Sequence, residues 1–132
     1  MASASRRSPS ELSEQIALAD VLDRARPRLD WFHVPNGGYR NRQEAVMLRR
    51  SGVKAGVPDV VILTPALGAI RGAVVELKRK GGVPSDVRPD QIAWLDRFRA
   101  VGFVPVVAYG WKDAVRQLRG LGYLLPDVGG AS

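Results

Sequence analysis

Along the chain, stretches with apolar residues every three or four positions alternate with stretches where they come in runs or at every second position. Leu12, Ile16, Ala19 and Leu22, with Val21 beside them, keep helical spacing. Ser10 can cap their start and Pro27 ends them, which predicts a helix over 10–26. The aromatic and β-branched run LDWFHVP at 29–35 predicts a strand that enters a loop at Asn36-Gly37-Gly38. Residues 41–50 read as a second helix ended by Gly52. The runs VPDVVILTP and GAVVELK are dense in β-branched residues, with only a turn between them, and predict an antiparallel hairpin. Pro89 suits the first turn of a third helix, with Ile92, Leu95 and Phe98 on one face and Gly102 past its end. FVPVVAY reads as another strand. Residues 111–119 read as a last helix with Ala114, Val115 and Leu118 inward and Gly120 beyond.

The order α-β-α-β-β-α-β-α describes an α/β domain, a mixed β-sheet flanked by helices. With 132 residues there is one core, expected over 10–125, between a loose basic arm at 1–9 and a loose tail at 126–132. Hydrophobic residues at 45% and charged residues at 25% suit a folded chain rather than a disordered one. Cysteine is absent, which excludes disulfides and Cys-ligated zinc, suits a reducing cytoplasm and leaves any metal to oxygen ligands or His33. No apolar run approaches the ~20 residues of a membrane span, so a soluble, cytoplasmic protein is expected. Twenty Lys and Arg against thirteen acids give +7, a field suited to a polyanion such as nucleic acid. A basic proteome would produce the same surplus, so charge only supports what the motifs say.

In GAVVELK, strand alternation puts Val74, Glu76 and Lys78 on one face and Ala73, Val75 and Leu77 on the other. Asp59 opens the preceding strand, and an antiparallel hairpin folds it back beside Glu76. Paired carboxylates with a neighbouring ammonium supply what phosphodiester hydrolysis needs: oxygen ligands for a divalent cation and a positive charge near the phosphate. A lone Glu-x-Lys is more often a solvated cross-strand pair. The convergence of Pro58-Asp59, Glu76-Leu77-Lys78 and a basic chain favours chemistry.

GVPDVVIL followed by VVELKRKGG, a helix carrying Gln91 and a strand reading GFVPVVAYG closely resemble the VRR-NUC domain of the PD-(D/E)xK nuclease superfamily. VPNGG and KAGVPD resemble its compact stand-alone phage and bacterial members, and the resemblance runs from the first helix to Leu118. It implies a restriction-endonuclease-like sheet, Mg²⁺ or Mn²⁺ as cofactor, and DNA cleavage. It also implies homodimers that act on branched DNA such as Holliday junctions, a DNA-repair setting. By position it makes Asp59 and Glu76 metal ligands, with the Leu77 carbonyl a third, and Lys78 the catalytic lysine. Gln91 would hold a water or a phosphate near the metal. The family's helix-one acid matches Glu14 best, with Glu11 left open; either also suits a helix N-terminus as a plain acid.

For nucleic-acid contact the sequence offers Asn36 and Gly37 in the glycine loop, then Arg40, Arg42, Lys54, Arg79 and Lys80 flanking the loop and the active strand. Arg49 and Arg50 read as a solvated helix face. His33 is expected to pack or hydrogen-bond rather than ligate. Trp94, Phe103, Trp111 and Tyr123 serve the core or an interface. The alternative function is a nucleic-acid-binding protein that keeps the nuclease fold without cutting.

Overall fold

A computed structural model describes residues 9–35, 41–69 and 71–127. Along it run α1 (Pro9–Asp23), β1 (Trp31–His33), α2 (Arg42–Arg50), β2 (Val60–Ile62), β3 (Ala73–Lys78), α3 (Pro89–Ala100), β4 (Val104–Tyr109) and α4 (Trp111–Gly120). This is the order the sequence predicts. The sheet runs β1-β2-β3-β4, antiparallel for the first two pairs and parallel for β3 with β4. Parallel neighbours need a crossover, and α3 provides it.

β3 is buried along its whole length because both sheet faces are covered. Ala73, Val75 and Leu77 pack with Leu18 and Leu22 of α1 and Ala114 and Leu118 of α4. Val74, on the other face, joins Val61, Leu95, Phe98, Phe103 and Val107 beneath α3. Glu76 and Lys78 continue that second face beyond its apolar part.

Several boundaries and faces differ from the sequence reading. α1 ends at Asp23, short of Pro27; its last carbonyls accept i→i+3 bonds from Arg24 and Ala25, and a residue preceding proline is disfavoured in the helical region. Leu12 and Ile16 are exposed, and the inward stripe is Gln15, Leu18, Val21, Leu22 and Ala25. The well-packed C-terminal half sets the rotation of the rigid helix, which turns Gln15 inward. On α3 likewise Gln91 and Leu95 are buried while Ile92 is exposed. β2 spans three residues, so Asp59 precedes the strand instead of opening it.

Trp94, Phe103, Trp111 and Tyr123 all make contacts within the chain. Phe103 meets Phe98 edge-on at 5.3 Å, and the buried Tyr123 donates its hydroxyl to the Thr64 carbonyl at 2.6 Å. Trp111 packs against the core, and Trp94 donates its indole N–H to the Ala55 carbonyl. Leu125 is buried, and Arg119 donates to the carbonyls of Leu125 and Pro126. Most of the expected basic arm, the end of the tail and the Asn36-Gly37-Gly38 loop fall outside the described residues. No helix among the described residues is long and apolar enough to cross a membrane.

Candidate active site

Four polar side chains are buried together at the C-terminal end of β3: Asp59 is 5% exposed, Glu76 3%, Lys78 8% and Gln91 6%. Buried charge is tolerated only when partnered, and the partners here are mutual. Gln91 donates its amide N–H to Glu76 Oε2 at 2.9 Å, while its carbonyl oxygen accepts from Lys78 Nζ at 2.9 Å and from the Arg88 backbone N–H at 2.9 Å. Chemistry fixes the amide's orientation, since only the NH₂ can face a carboxylate oxygen and only the C=O can face an ammonium. Gln91 can do this because Pro89 starts α3 and puts residue 91 in its first turn, directly over the Glu76–Lys78 face of β3.

Asp59 Oδ2 accepts from the Leu77 backbone N–H at 2.7 Å. A strand residue's N–H and C=O point to the same side, as the ladder pattern requires. The Leu77 carbonyl is therefore directed toward the Asp59 side, just past the start of β2. The Asp59 backbone is pinned in turn, because its carbonyl accepts from Val34 N–H at 2.8 Å and bonds His33 Nδ1 at 2.7 Å. A carbonyl only accepts, so His33 carries its proton on Nδ1. The only histidine thus has the hydrogen-bonding role expected of it, with the backbone of a site acid as its partner.

The electrostatics lack one component. The pKa of Glu76 is pushed up to about 9, first by burial and then by the charge of Asp59 and direct carboxyl-to-carboxyl contact with it; Lys78 and Arg88 oppose the rise. With neither acid protonated, no donor reaches Glu76 Oε1, which is fully buried. A buried oxygen without a donor, beside a second carboxylate and a strand carbonyl, is a set of hard oxygen donors of the kind that Mg²⁺ or Mn²⁺ takes. The residues present fit such an ion.

Glu14 is not brought into this group, and among the described residues no three acids or histidines gather as one metal site. Its Oε1 accepts from the Trp111 backbone N–H at 2.7 Å. Gly110 precedes α4 and offers no side-chain cap, so the exposed N–H groups of that helix end draw the carboxylate instead. The carboxylate expected at the paired acids is engaged at the start of α4 in this structure, and Glu11 lies half-buried one turn earlier on α1. Glu14 lines a cavity of about 210 Å³ with Lys80, Tyr109, Gly110, Trp111 and Lys112.

Of the nucleic-acid candidates, Arg42, Lys54, Arg79 and Lys80 are exposed, and Asn36, Gly37 and Arg40 lie outside the described residues. Two residues escaped the sequence reading. Arg88 supports Gln91 through its backbone and Glu76 through its charge; its place just before Pro-Asp-Gln was the available signal. Gln15 is 4% exposed with neither amide atom partnered, and a lone polar residue in an apolar stripe was its signal.

Comparison with known proteins identifies the family and the fold. The model of the VRR-NUC domain family matches residues 11–112. A solved structure described as a VRR_NUC domain protein superposes with a TM-score of 0.64 at 24% sequence identity, covering 87% of this chain and 89% of its own. No curated protein matches.

Proposed function

The chain belongs to the VRR-NUC family, a nuclease-type domain, and from that membership we propose that it is a Mg²⁺- or Mn²⁺-dependent endonuclease that hydrolyses DNA phosphodiester bonds. The observation that carries the proposal is the orphaned Glu76 Oε1 held against Asp59 at the strand end where Lys78 emerges. Asp59, Glu76 and the Leu77 carbonyl would hold the ion. When bound, it supplies Lewis-acid polarisation of the phosphoryl oxygens and a lowered pKa for coordinated water.

The chain's own residues do the rest. Gln91 takes one of the three N–H donors of Lys78, which fixes the ammonium and leaves two donors for an attacking water or a phosphate oxygen. In that low-dielectric position the ammonium stabilises charge building on the phosphorus centre more strongly than it would in water. Gln91 also holds Glu76 Oε2, so its amide keeps acid and ammonium at a fixed spacing. Arg79 and Lys80, exposed where β3 ends, would position the backbone without reading sequence.

The finer reading is a homodimer acting on branched DNA, supported by the family resemblance, in a reducing cytoplasm, supported by the absence of cysteine. A two-fold dimer would present two such sites to opposed strands of a junction. Labelled duplex, flap, single-stranded and four-way DNA, incubated with and without Mg²⁺ and Mn²⁺, tests the whole proposal. Cutting should require a divalent ion and vanish in Glu76→Gln and Lys78→Ala. Cutting in EDTA, or full activity in both variants, would refute it.

A further inference from the structure

The chain leaves the sheet at Val34 and returns at Asp59, and these two residues are joined by the Val34 N–H to Asp59 carbonyl bond. The described residues 41–58 form an excursion that returns to the sheet at a site acid. Its returning half is anchored where the crossover helix begins. Trp94 donates to the Ala55 carbonyl at 3.0 Å, and Gly56, at φ +86°, sits so close to Asp90 that an added Cβ would lie 2.9 Å from the Asp90 carbonyl carbon.

α2 sits on this anchored base but buries none of its residues and makes no substantial packing contact with any other described helix or strand. Asn41 caps it, its side chain accepting from Glu44 N–H at 2.8 Å. A nine-residue helix gains little from its own hydrogen bonds, so a face left bare requires an explanation. At 100° per residue, the half-buried Glu44, Ala45 and Leu48 share one side and the exposed Arg42, Val46, Arg49 and Arg50 share the other. Arg42 and Arg49 are almost in line, roughly 10.5 Å apart along the axis, which is about three base-pair rises of a duplex. Lys54 adds a fourth exposed cation before the chain reaches Pro58. None of Arg42, Arg49 and Arg50 forms a salt bridge among the described residues.

We propose that α2 and the turn after it form a basic arm that grips the phosphate backbone of the nucleic acid flanking the scissile position, with Arg42, Arg49 and Arg50 as its contacts. Only the identity of the polyanion rests on the nuclease reading. A second copy of the chain is the rival occupant, and an isologous contact through this face would set the same arginines against one another. Phosphates complement the face instead. Because the returning end of the excursion is fixed beside Asp59 and α3, a strand held by the arm is registered to the paired acids. Arg49 and Arg50, read from sequence as a solvated face, become contacts.

Fluorescence anisotropy with a labelled duplex, in EDTA so that nothing is cut, tests the arm. Arg42→Gln/Arg49→Gln/Arg50→Gln should lower the salt slope of log K by roughly 2–3, as expected for three lost phosphate contacts. A charge-reversed Arg42→Glu/Arg49→Glu/Arg50→Glu variant should bind more weakly still. Arg97→Gln/Arg99→Gln, at the far end of α3, should leave the slope unchanged. With Mn²⁺ and subsaturating DNA, the Gln variant should cut more slowly than the wild type, in step with its weakened binding. Unaltered thermal unfolding will confirm that each variant folds. An unchanged slope in both arm variants overturns the proposal, as does conversion of a dimer to a monomer with the slope intact. Should the wild type bind DNA with an arm-dependent slope yet never cut it, the nuclease reading fails and the arm stands. Should Glu76→Gln abolish cutting while the arm variants bind normally, the arm alone fails.

Discussion

Replacing Glu76 by Gln should stabilise the metal-free protein at neutral and alkaline pH. In the native state Glu76 holds its proton up to about pH 9, against 4.5 for the free side chain. Between those values the unfolded chain has released a proton that the folded chain keeps, so stability falls as pH rises. It is fully present below pH 4.5 and no longer falls beyond pH 9. Each unit costs at most about 1.36 kcal/mol, so the loss between pH 5 and 8 has an upper limit of about 4 kcal/mol. Relaxation and water penetration around the ionised carboxylate reduce this, and roughly 2 kcal/mol is the expected magnitude. A Gln at 76 cannot titrate; its carbonyl can accept from Gln91 while its NH₂ donates to Asp59. Urea melts at pH 5 and pH 8 in EDTA should therefore show the wild type losing stability relative to Glu76→Gln. Adding Mn²⁺ should reverse the ranking, because an ion at 100 times its Kd stabilises only the protein that binds it, by about 2.7 kcal/mol. Parallel pH dependence of the two proteins in EDTA would refute the reasoning.

Gln91→Leu should cost both activity and stability, since it strips partners from a buried carboxylate and a buried ammonium at about 1–3 kcal/mol each; a urea midpoint within error of wild type would contradict the bridge. Glu14→Ala should lower stability by about 1 kcal/mol through loss of the α4 cap and leave Mn²⁺ affinity by calorimetry unchanged. A tenfold weaker ion would instead return Glu14 to the metal site. At position 33, Asn places an amide N–H where Nδ1 now sits and Gln does not, so His33→Asn should retain turnover and His33→Gln should lose it if the Asp59 carbonyl needs that bond.

The element order was readable because periods of two and of three to four residues alternate cleanly, and the end of β3 was readable because apolar and polar positions alternate over Val75-Glu76-Leu77-Lys78 after a β-branched run. Pro58-Asp59 and Glu76-Leu77-Lys78 could be joined on paper because two neighbouring β-branched runs with no helix between them pair antiparallel, although the connection is longer than a tight turn. What stayed hidden depends on contacts between elements distant in sequence. Leu12, Ile16 and Ile92 look inward by spacing alone, yet Gln15 and Gln91 take the buried positions. The rotation of α1 is set by Leu18, Val21 and Leu22 against β3, and the reach of Gln91 is set by where the crossover lands. Nothing local to Glu14 reveals that α4 begins against it. That α2 is a helix was legible; that it packs on almost nothing was not.

The parallel pairing of β3 with β4 bears on how the protein is made. A growing chain can close the β2–β3 hairpin early from nearby residues, which brings two acids together with no amide to space them and no fixed ammonium. Those arrive only when the crossover has folded back and delivered its first turn. The spacing of the two acids and the placing of the Lys78 ammonium thus depend on a non-local contact, the slow kind to form.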